Sequence, residues 1–356
     1  MRKLRIAVAG AGLIGARHIE ELARSEGAVL SAIVAPPRRA VEVARRCGVP
    51  LYGSLSELFT QDRPDGVILG TPNQLHAEQA LACIAAGVPV LVEKPLAHTL
   101  EAGEQLVQAA ELARARLLVG HHRRHGAVLR AAGEVIRAGT LGRLVAVLGC
   151  GAFYKPEAEG YFDGPNAWRR EPGGGPILLN MIHEVDNLRA LVGEVVAVQA
   201  MSSNATRGFA VEDTAAMSLR FTNGVLATFL ISDTVGSPKS WEQTSGESLA
   251  FVQYEDEDAC VVMGTMGSLG IPTLRLRRFA RAEERSWFKP LGDEAVPFTR
   301  VNPMAQQLSH FVALIRGEAE PLVTARDGLQ NLRVVDAILR AARTGGTVEV
   351  PPVGTA

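Results

Sequence analysis

The run Leu4-Arg5-Ile6-Ala7-Val8-Ala9 feeds directly into Gly10-Ala11-Gly12-Leu13-Ile14-Gly15, and the reading of this stretch decides the fold. A short apolar segment ends in glycines spaced GxGxxG, and an amphipathic segment then continues to Gly27. That order spells strand, tight turn and helix start. The first glycine permits the turn, the second lets backbone approach a pyrophosphate, and the third allows the helix to close on the strand. The helix N-terminus adds partial positive charge for phosphate. The expectation is a dinucleotide site formed by Gly10, Gly12, Leu13, Ile14 and Gly15. The competing reading is a plain β-to-α turn.

Outward from that turn, the next strand spans Val29 to Val34, and a side chain that reads the adenine ribose is expected about twenty positions past Gly15, at Ala35. NAD sites usually place an acid there to bond the 2′-hydroxyl. Ile33 to Arg39 contains none and closes on Pro36, Pro37, Arg38 and Arg39. Arg38 and Arg39 are suited to bracket a 2′-phosphate by charge-assisted hydrogen bonds, which favours NADP and keeps NAD as the alternative. The plainer reading makes both arginines solvated residues at a helix start.

A chain of 356 residues suggests about two domains, and 47% hydrophobic with 21% charged residues is ordinary globular composition. A net charge of -1 leaves no electrostatic footprint for nucleic acid or an anionic membrane, so neither is an expected partner. Met1-Arg2-Lys3 before apolar residues has the look of a signal peptide, but the apolar run is short and already committed to the glycine turn. No stretch approaches the roughly 20 apolar residues of a membrane span. Cys47, Cys83, Cys150 and Cys260 are scattered without CxxC spacing, which suits reduced thiols and a cytoplasmic location.

Up to Gly120 the chain alternates β-branched runs with helical periodicity: Val67 to Leu69, a helix closed by Gly87, Val90 to Val92, a helix from about Thr99, then Leu117 to Val119. This is the pattern of a doubly wound parallel sheet. Ser54 and Glu57 have capping-box spacing before Leu58. After Arg124 the grammar changes to strands at Val145 to Leu148, Val195 to Ala200, Ala215 to Phe221 and Val225 to Ile231, with Asn223-Gly224 expected to form a type I′ hairpin turn. Helices are expected at Met304 to Arg316 and Thr324 to Arg343. The fold class is α/β: an N-terminal Rossmann domain over 1–122, then an α/β domain over 123–356 with a large open, mostly antiparallel sheet.

Thr71-Pro72-Asn73 and Glu93-Lys94-Pro95 follow strands at the carboxyl edge of the sheet, where open α/β sheets bind ligands. A cation at Lys94 stabilises an alkoxide developing on a reacting alcohol. Further on, Gly173-Gly174-Gly175-Pro176 introduces a helix from Ile177 to Val192. At about 100° per residue, Leu178, Met181, Ile182, Val185, Leu188 and Val192 gather on one side, while Asn180, His183, Glu184 and Asn187 gather on the other. His183 stands off the core stripe, behind a glycine turn that admits a ligand, and its ordinary pKa suits proton exchange with a hydroxyl. Asp186 is placed to orient His183 or to make a surface contact.

Together GxGxxG, Thr71-Pro72-Asn73 with His76, Glu93-Lys94-Pro95 and GGGxxxxNxxHxxD from Gly173 to Asp186 resemble the glucose-fructose oxidoreductase, inositol dehydrogenase and rhizopine catabolism family, Gfo/Idh/MocA, over nearly the whole chain. The resemblance implies a homodimer or homotetramer built on the open sheet, and action of Lys94 and His183 on a hydroxyl of a sugar or polyol. It assigns the cofactor to Gly10, Gly12, Gly15, Thr71, Asn73 and Glu93, with Pro72, His76 and His122 beside them. It sets Arg123, Tyr154, Trp168, Arg169 and Asp186 toward substrate. Many relatives carry an aspartate four residues before the histidine; this chain has Leu179 there, and Asn180 is the nearest polar candidate. An amide positions a hydroxyl but does not relay its proton.

The His121-His122-Arg123-Arg124-His125 cluster is a poor metal site, since two arginines oppose a cation, and no metal is expected. The acidic run Glu255 to Asp258 reads as a solvated turn. The expected activity is NAD(P)-dependent dehydrogenation or reduction at a CH-OH carbon of a sugar, cyclitol or polyol. Two alternatives stand beside it: an NAD-dependent glycosidase of the same fold, and a non-catalytic cofactor-binding sensor.

Overall fold

The apolar runs of the first third become strands that are buried on both faces, as parallel sheets covered by helices require. In this computed structural model, residues 2–352 are described except Glu159 and Leu249, and the side chains of Pro37, Arg38, Arg39 and Pro165 also lie outside the description. The chain divides into two units: one holds residues up to His125 together with Pro303–Leu332, the other holds Gly126–Asn302 and the residues from Arg333 on.

In the first unit, β1 (Leu4–Ala9), α1 (Leu13–Arg24), β2 (Ala28–Val34), α2 (Pro37–Cys47), β3 (Leu51–Tyr52), α3 (Leu55–Gln61), β4 (Gly66–Leu69), α4 (His76–Ala85), β5 (Val90–Glu93), α5 (Leu100–Leu112) and β6 (Leu117–Gly120) alternate. The strands form a six-stranded parallel sheet in the order β3-β2-β1-β4-β5-β6. Strand order reverses between β1 and β4, so the loops after Ala9 and Leu69 open side by side at the carboxyl edge. Such a switch point is where this architecture binds ligands. The caps are where the sequence puts them: Ser54 Oγ accepts from the Glu57 N–H at 3.1 Å, and Thr99 Oγ1 accepts from the Ala102 N–H at 3.2 Å.

In the second unit, α6 (Ala127–Arg137) precedes β7 (Leu144–Ala152), α7 (Ile182–Val192), β8 (Val195–Ser203), β9 (Thr214–Phe221), β10 (Leu226–Ser232), α8 (Trp241–Thr244), β11 (Cys260–Gly264), β12 (Gly267–Ile271), β13 (Arg275–Arg278) and β14 (Gly292–Ala295). Along the chain come next α9 (Pro303–Arg316), which belongs to the first unit, α10 (Ala325–Thr344), whose residues to Leu332 belong to the first unit and the rest to the second, and then β15 (Val348–Glu349). The nine-stranded sheet runs β14-β13-β12-β11-β7-β10-β9-β8-β15 and is antiparallel except for the parallel pair β7 and β10.

Three features depart from the sequence reading. The second domain is not continuous from 123 onward: Leu308, Phe311, Val312, Leu314 and Ile315 of α9 share one core with Ile6, Val8, Ile33, Ile68 and Leu91 of the first unit. Gly66 permits that close fit, since a Cβ there would stand 2.7 Å from Ile315 Cδ1. The β9–β10 turn is not type I′. Only Gly224 has positive φ, at 82°, and Phe221 bonds across to Val225, so three residues make the connection. Finally, α6 and the strands β11 to β14 carry no expectation from the sequence.

Candidate functional site

The three glycines of the first turn divide their labour visibly. Gly10 has φ 92°, and a Cβ on it would lie 2.5 Å from the Gly70 carbonyl oxygen. A Cβ on Gly15 would fall inside the Gly10 carbonyl oxygen, so only glycine lets α1 start against the turn. Gly12 differs, because an added Cβ would meet nothing within 4 Å. It is the N-cap of α1 with no side chain bonding the first helical N–H groups, and Leu13 beside it is exposed. Open space in front of uncapped N–H groups is what a pyrophosphate needs.

The loops after β4 and β5 are clasped together. His76 is buried with Nδ1 at 2.7 Å from the Pro95 carbonyl oxygen and Nε2 at 2.9 Å from that of Thr71. Burial draws its pKa below the ordinary histidine value, against the two carbonyls. Thr71 Oγ1 donates to Gln79 at 2.7 Å. Asn73 is buried, and its Nδ2 meets no acceptor among the described residues, which leaves it for a ligand. Glu93 is buried too, with Oε1 2.8 Å from His18 Nε2 and Oε2 accepting from the Lys94 N–H at 3.2 Å. Burial by itself would raise the Glu93 pKa; the bond to His18 and the nearby His122 and Lys94 bring it below the usual carboxylate value. Glu93 therefore stays ionised and aims the Lys94 backbone. His122 and Arg123 lie in a single 3-10 turn packed on α9, with Arg123 buried. The open cradle at Gly12 and the orphaned amide of Asn73 fit a nicotinamide dinucleotide.

In the second unit, Ile177–Met181 forms a π-helical turn that runs into α7. Single π turns recur at functional sites because they re-aim the side chains they carry. The polar side of the helix is not open to solvent: His183, Glu184, Asp186 and Asn187 are all buried, as are the leucines and valines opposite them. His183 is only 6% exposed. Asn180 is half-buried.

In the Gly173-Gly174-Gly175 turn, Gly173 faces open space while Gly174 and Gly175 admit protein. A Cβ on Gly174 would collide with the Arg169 backbone, and one on Gly175 with the Glu212 carboxylate. Glu212 Oε1 accepts from the Ile177 N–H at 2.9 Å, so it caps the π turn, and burial raises its pKa despite that bond. Arg169 stacks over Tyr161 and Trp168, at 4.1 and 5.3 Å to the ring centroids, and donates to the Tyr161 carbonyl at 2.8 Å. Tyr154 is exposed and bridges to Thr234.

Sequence reasoning missed His18, Lys155, Arg207, Glu212 and Asp233. Lys155 Nζ donates to Asn180 Oδ1 at 2.6 Å, and Arg207 Nε bonds Asp233 Oδ1 at 3.0 Å. Their partners lie far off in the chain, so no local spacing signals them. Among the described residues no group of three or more His, Cys, Asp or Glu side chains is arranged to hold a metal, and no helix is long and apolar enough to cross a membrane.

Residues 4–121 match the model of an oxidoreductase family's NAD-binding Rossmann fold, and residues 134–350 match that family's C-terminal alpha/beta domain. Among curated relatives, the 1,5-anhydro-D-fructose reductase of Ensifer adhaerens is 31% identical over 350 residues, covering 95% of this chain and 98% of the relative. The inositol 2-dehydrogenase of Rubrobacter xylanophilus is 27% identical over 364 residues, covering 98% and 93%. Among solved structures, the WlbA dehydrogenase of Bordetella pertussis, in complex with NADH and UDP-GlcNAcA, superposes with a TM-score of 0.78 at 25% identity, covering 98% of this chain and 99% of that one.

Proposed function

This chain belongs to the Gfo/Idh/MocA family of oxidoreductases, and from that premise we propose that it oxidises a carbinol carbon, or reduces the matching carbonyl, of a sugar, cyclitol or related polyol. The observation that carries the reading is Lys94, set at the end of β5 behind a buried, ionised Glu93 and in the same unit as the open cradle at Gly12. The names of the relatives, an anhydro-sugar reductase and a cyclitol dehydrogenase, support the substrate class. When bound, the nicotinamide dinucleotide supplies the ring that exchanges hydride.

The side chains then take separate roles. Gly10, Gly12, Leu13, Ile14 and Gly15 hold the pyrophosphate, and Thr71, Pro72, Asn73, His76, Glu93 and His122 seat the cofactor. The Lys94 ammonium stabilises negative charge on the substrate oxygen, and His183 exchanges the hydroxyl proton. Asn180 fixes a neighbouring oxygen, while Arg123, Tyr154, Trp168, Arg169 and Asp186 shape the pocket. The preferred cofactor is NADP, because no acid follows β2 and Arg38 and Arg39 stand at the start of α2. We also propose a cytoplasmic homodimer or homotetramer; the exposed Leu148, Leu226 and Leu230 on one face of β7 and β10 support a subunit contact there.

The test is nicotinamide absorbance on a panel of sugars and polyols with wild type and Lys94→Ala. Turnover that falls about 100- to 1,000-fold in the variant with cofactor affinity intact is expected. Cleavage of a glycoside without net redox change would favour the glycosidase instead, and tight cofactor binding with no turnover would favour the sensor. NADPH and NADH affinities measured side by side, repeated with Arg38→Ala, decide the cofactor: a preference for NADPH that collapses in the variant is expected.

A further inference from the structure

Lys155 is a buried cation with no part in the roles above. It follows β7, is 6% exposed, and its Nζ lies 5.4 and 5.0 Å from the ring centroids of Phe153 and Tyr161. Nζ donates to Asn180 Oδ1 at 2.6 Å, with Asp233 Oδ2 at 3.5 Å. The backbone beneath it is pinned. Its N–H donates to the Asp233 carbonyl at 2.9 Å, and Arg207 donates both to the Lys155 carbonyl at 2.8 Å and to the Asp233 carboxylate at 3.0 Å.

A lysine ammonium donates and never accepts. Asn180 must therefore turn its carbonyl oxygen to Lys155, which fixes the amide orientation by chemistry and leaves Nδ2 facing away. No other hydrogen bond engages the Asn180 side chain among the described residues. Asn180 sits in the π turn, three residues before His183.

We propose that Lys155 is a positioning residue that locks Asn180 as a hydrogen-bond donor toward substrate, so the oxygen read there is an acceptor: the carbonyl or carboxylate oxygen of an oxo- or carboxy-sugar. The inference rests on the function proposed above and narrows its substrate class. A hydroxyl rotates to suit either a donor or an acceptor, whereas a carbonyl or carboxylate oxygen binds only a donor. The lysine charge polarises the amide and strengthens that donation.

Asn180→Asp keeps the shape and the Lys155 contact while exchanging donor for acceptor. The probes are sodium D-glucuronate, whose carboxylate stands apart from the carbinol carbons, and D-glucose, its hydroxymethyl counterpart. The expected result is a loss in kcat/KM about tenfold or more larger for the first probe than for the second, with cofactor affinity and Tm unchanged. Lys155→Met should reproduce the pattern, and the double variant should be no worse than Asn180→Asp alone. An Asn180→Asp enzyme that treats both probes alike, or a Lys155→Met effect that adds to it, overturns the proposal. A crystal structure with sodium D-glucuronate separates this inference from its parent. A carboxylate oxygen on Asn180 Nδ2 supports it even if neither probe turns over; a hydroxyl there, an empty site or a broken Lys155–Asn180 contact sinks it.

Discussion

At Gly12 an added Cβ would meet nothing within 4 Å, whereas at Gly175 it would enter the carboxylate of Glu212. Both glycines belong to a loop that opens a helix, and in the sequence both turns read as ligand cradles. One leaves a space that the protein does not fill; the other is a space the protein has already filled, with the Arg169 backbone and a capping carboxylate. Glycine spacing reports that something approaches the backbone closely, and only the surrounding side chains say whether it is ligand or protein.

Substitutions at these turns test the distinction, and Gly15→Ala should have the largest effect. Its Cβ would overlap a backbone oxygen that cannot move without breaking the turn, at a cost on the order of 3 kcal/mol or more, read as a collapse of Tm or of soluble yield. Gly175→Ala should cost less, about 1–3 kcal/mol, because the Glu212 side chain can withdraw and the loss is then the acceptor of the Ile177 N–H. If Gly175→Ala is equally damaging in a Glu212→Ala background, the filled-space account is wrong. Gly12→Ala should change stability by no more than about 1 kcal/mol, the difference between two N-cap residues, yet weaken dinucleotide binding tenfold or more. Unchanged affinity there would break the comparison at its other end.

The smallest effect contrasts two carboxylates, one from each unit, shifted in opposite directions. Glu93 lies below its usual 4.5, so its contribution to stability is complete above that value and is lost as pH falls through the lowered folded value. Glu212 lies above 4.5, so folding favours its proton, and stability rises as pH falls from the raised folded value toward 4.5. Denaturant midpoints from pH 7 down to pH 2 should therefore show Glu93→Gln removing a loss below 4.5 and Glu212→Gln removing a gain above it. Parallel slopes in the two variants would refute the assignment.

The sequence discloses most where structure is local. β1, the glycine turn, the Ser54 and Thr99 caps and the strands Val67–Leu69 and Val90–Val92 follow from neighbours a few residues apart. Non-local features are hidden. Lys155 meets Asn180 twenty-five positions on, and Glu212 meets Ile177 thirty-five positions back, so neither pair has a spacing to recognise. Arg275–Arg278 and Gly292–Ala295 lie toward one end of the sheet and are rich in charge, so no alternation of apolar residues marks them as strands. Periodicity alone groups the polar residues around His183 on one side of the helix; that the structure buries them is revealed only by the packed fold. The buried face of α7 carries titratable groups that an ordinary core excludes, which supports the site proposed there.

The core of the first unit takes in Phe311 and Ile315 as fully as it takes in Val8 and Ile68. During synthesis the strands up to Gly120 leave the ribosome long before α9 does, and Gly126–Asn302 of the second unit is translated in between. The unit that is begun first thus waits for its last core helix. Through that interval the nascent chain carries an unfinished apolar surface, and the order of translation leaves these strands in need of chaperone cover.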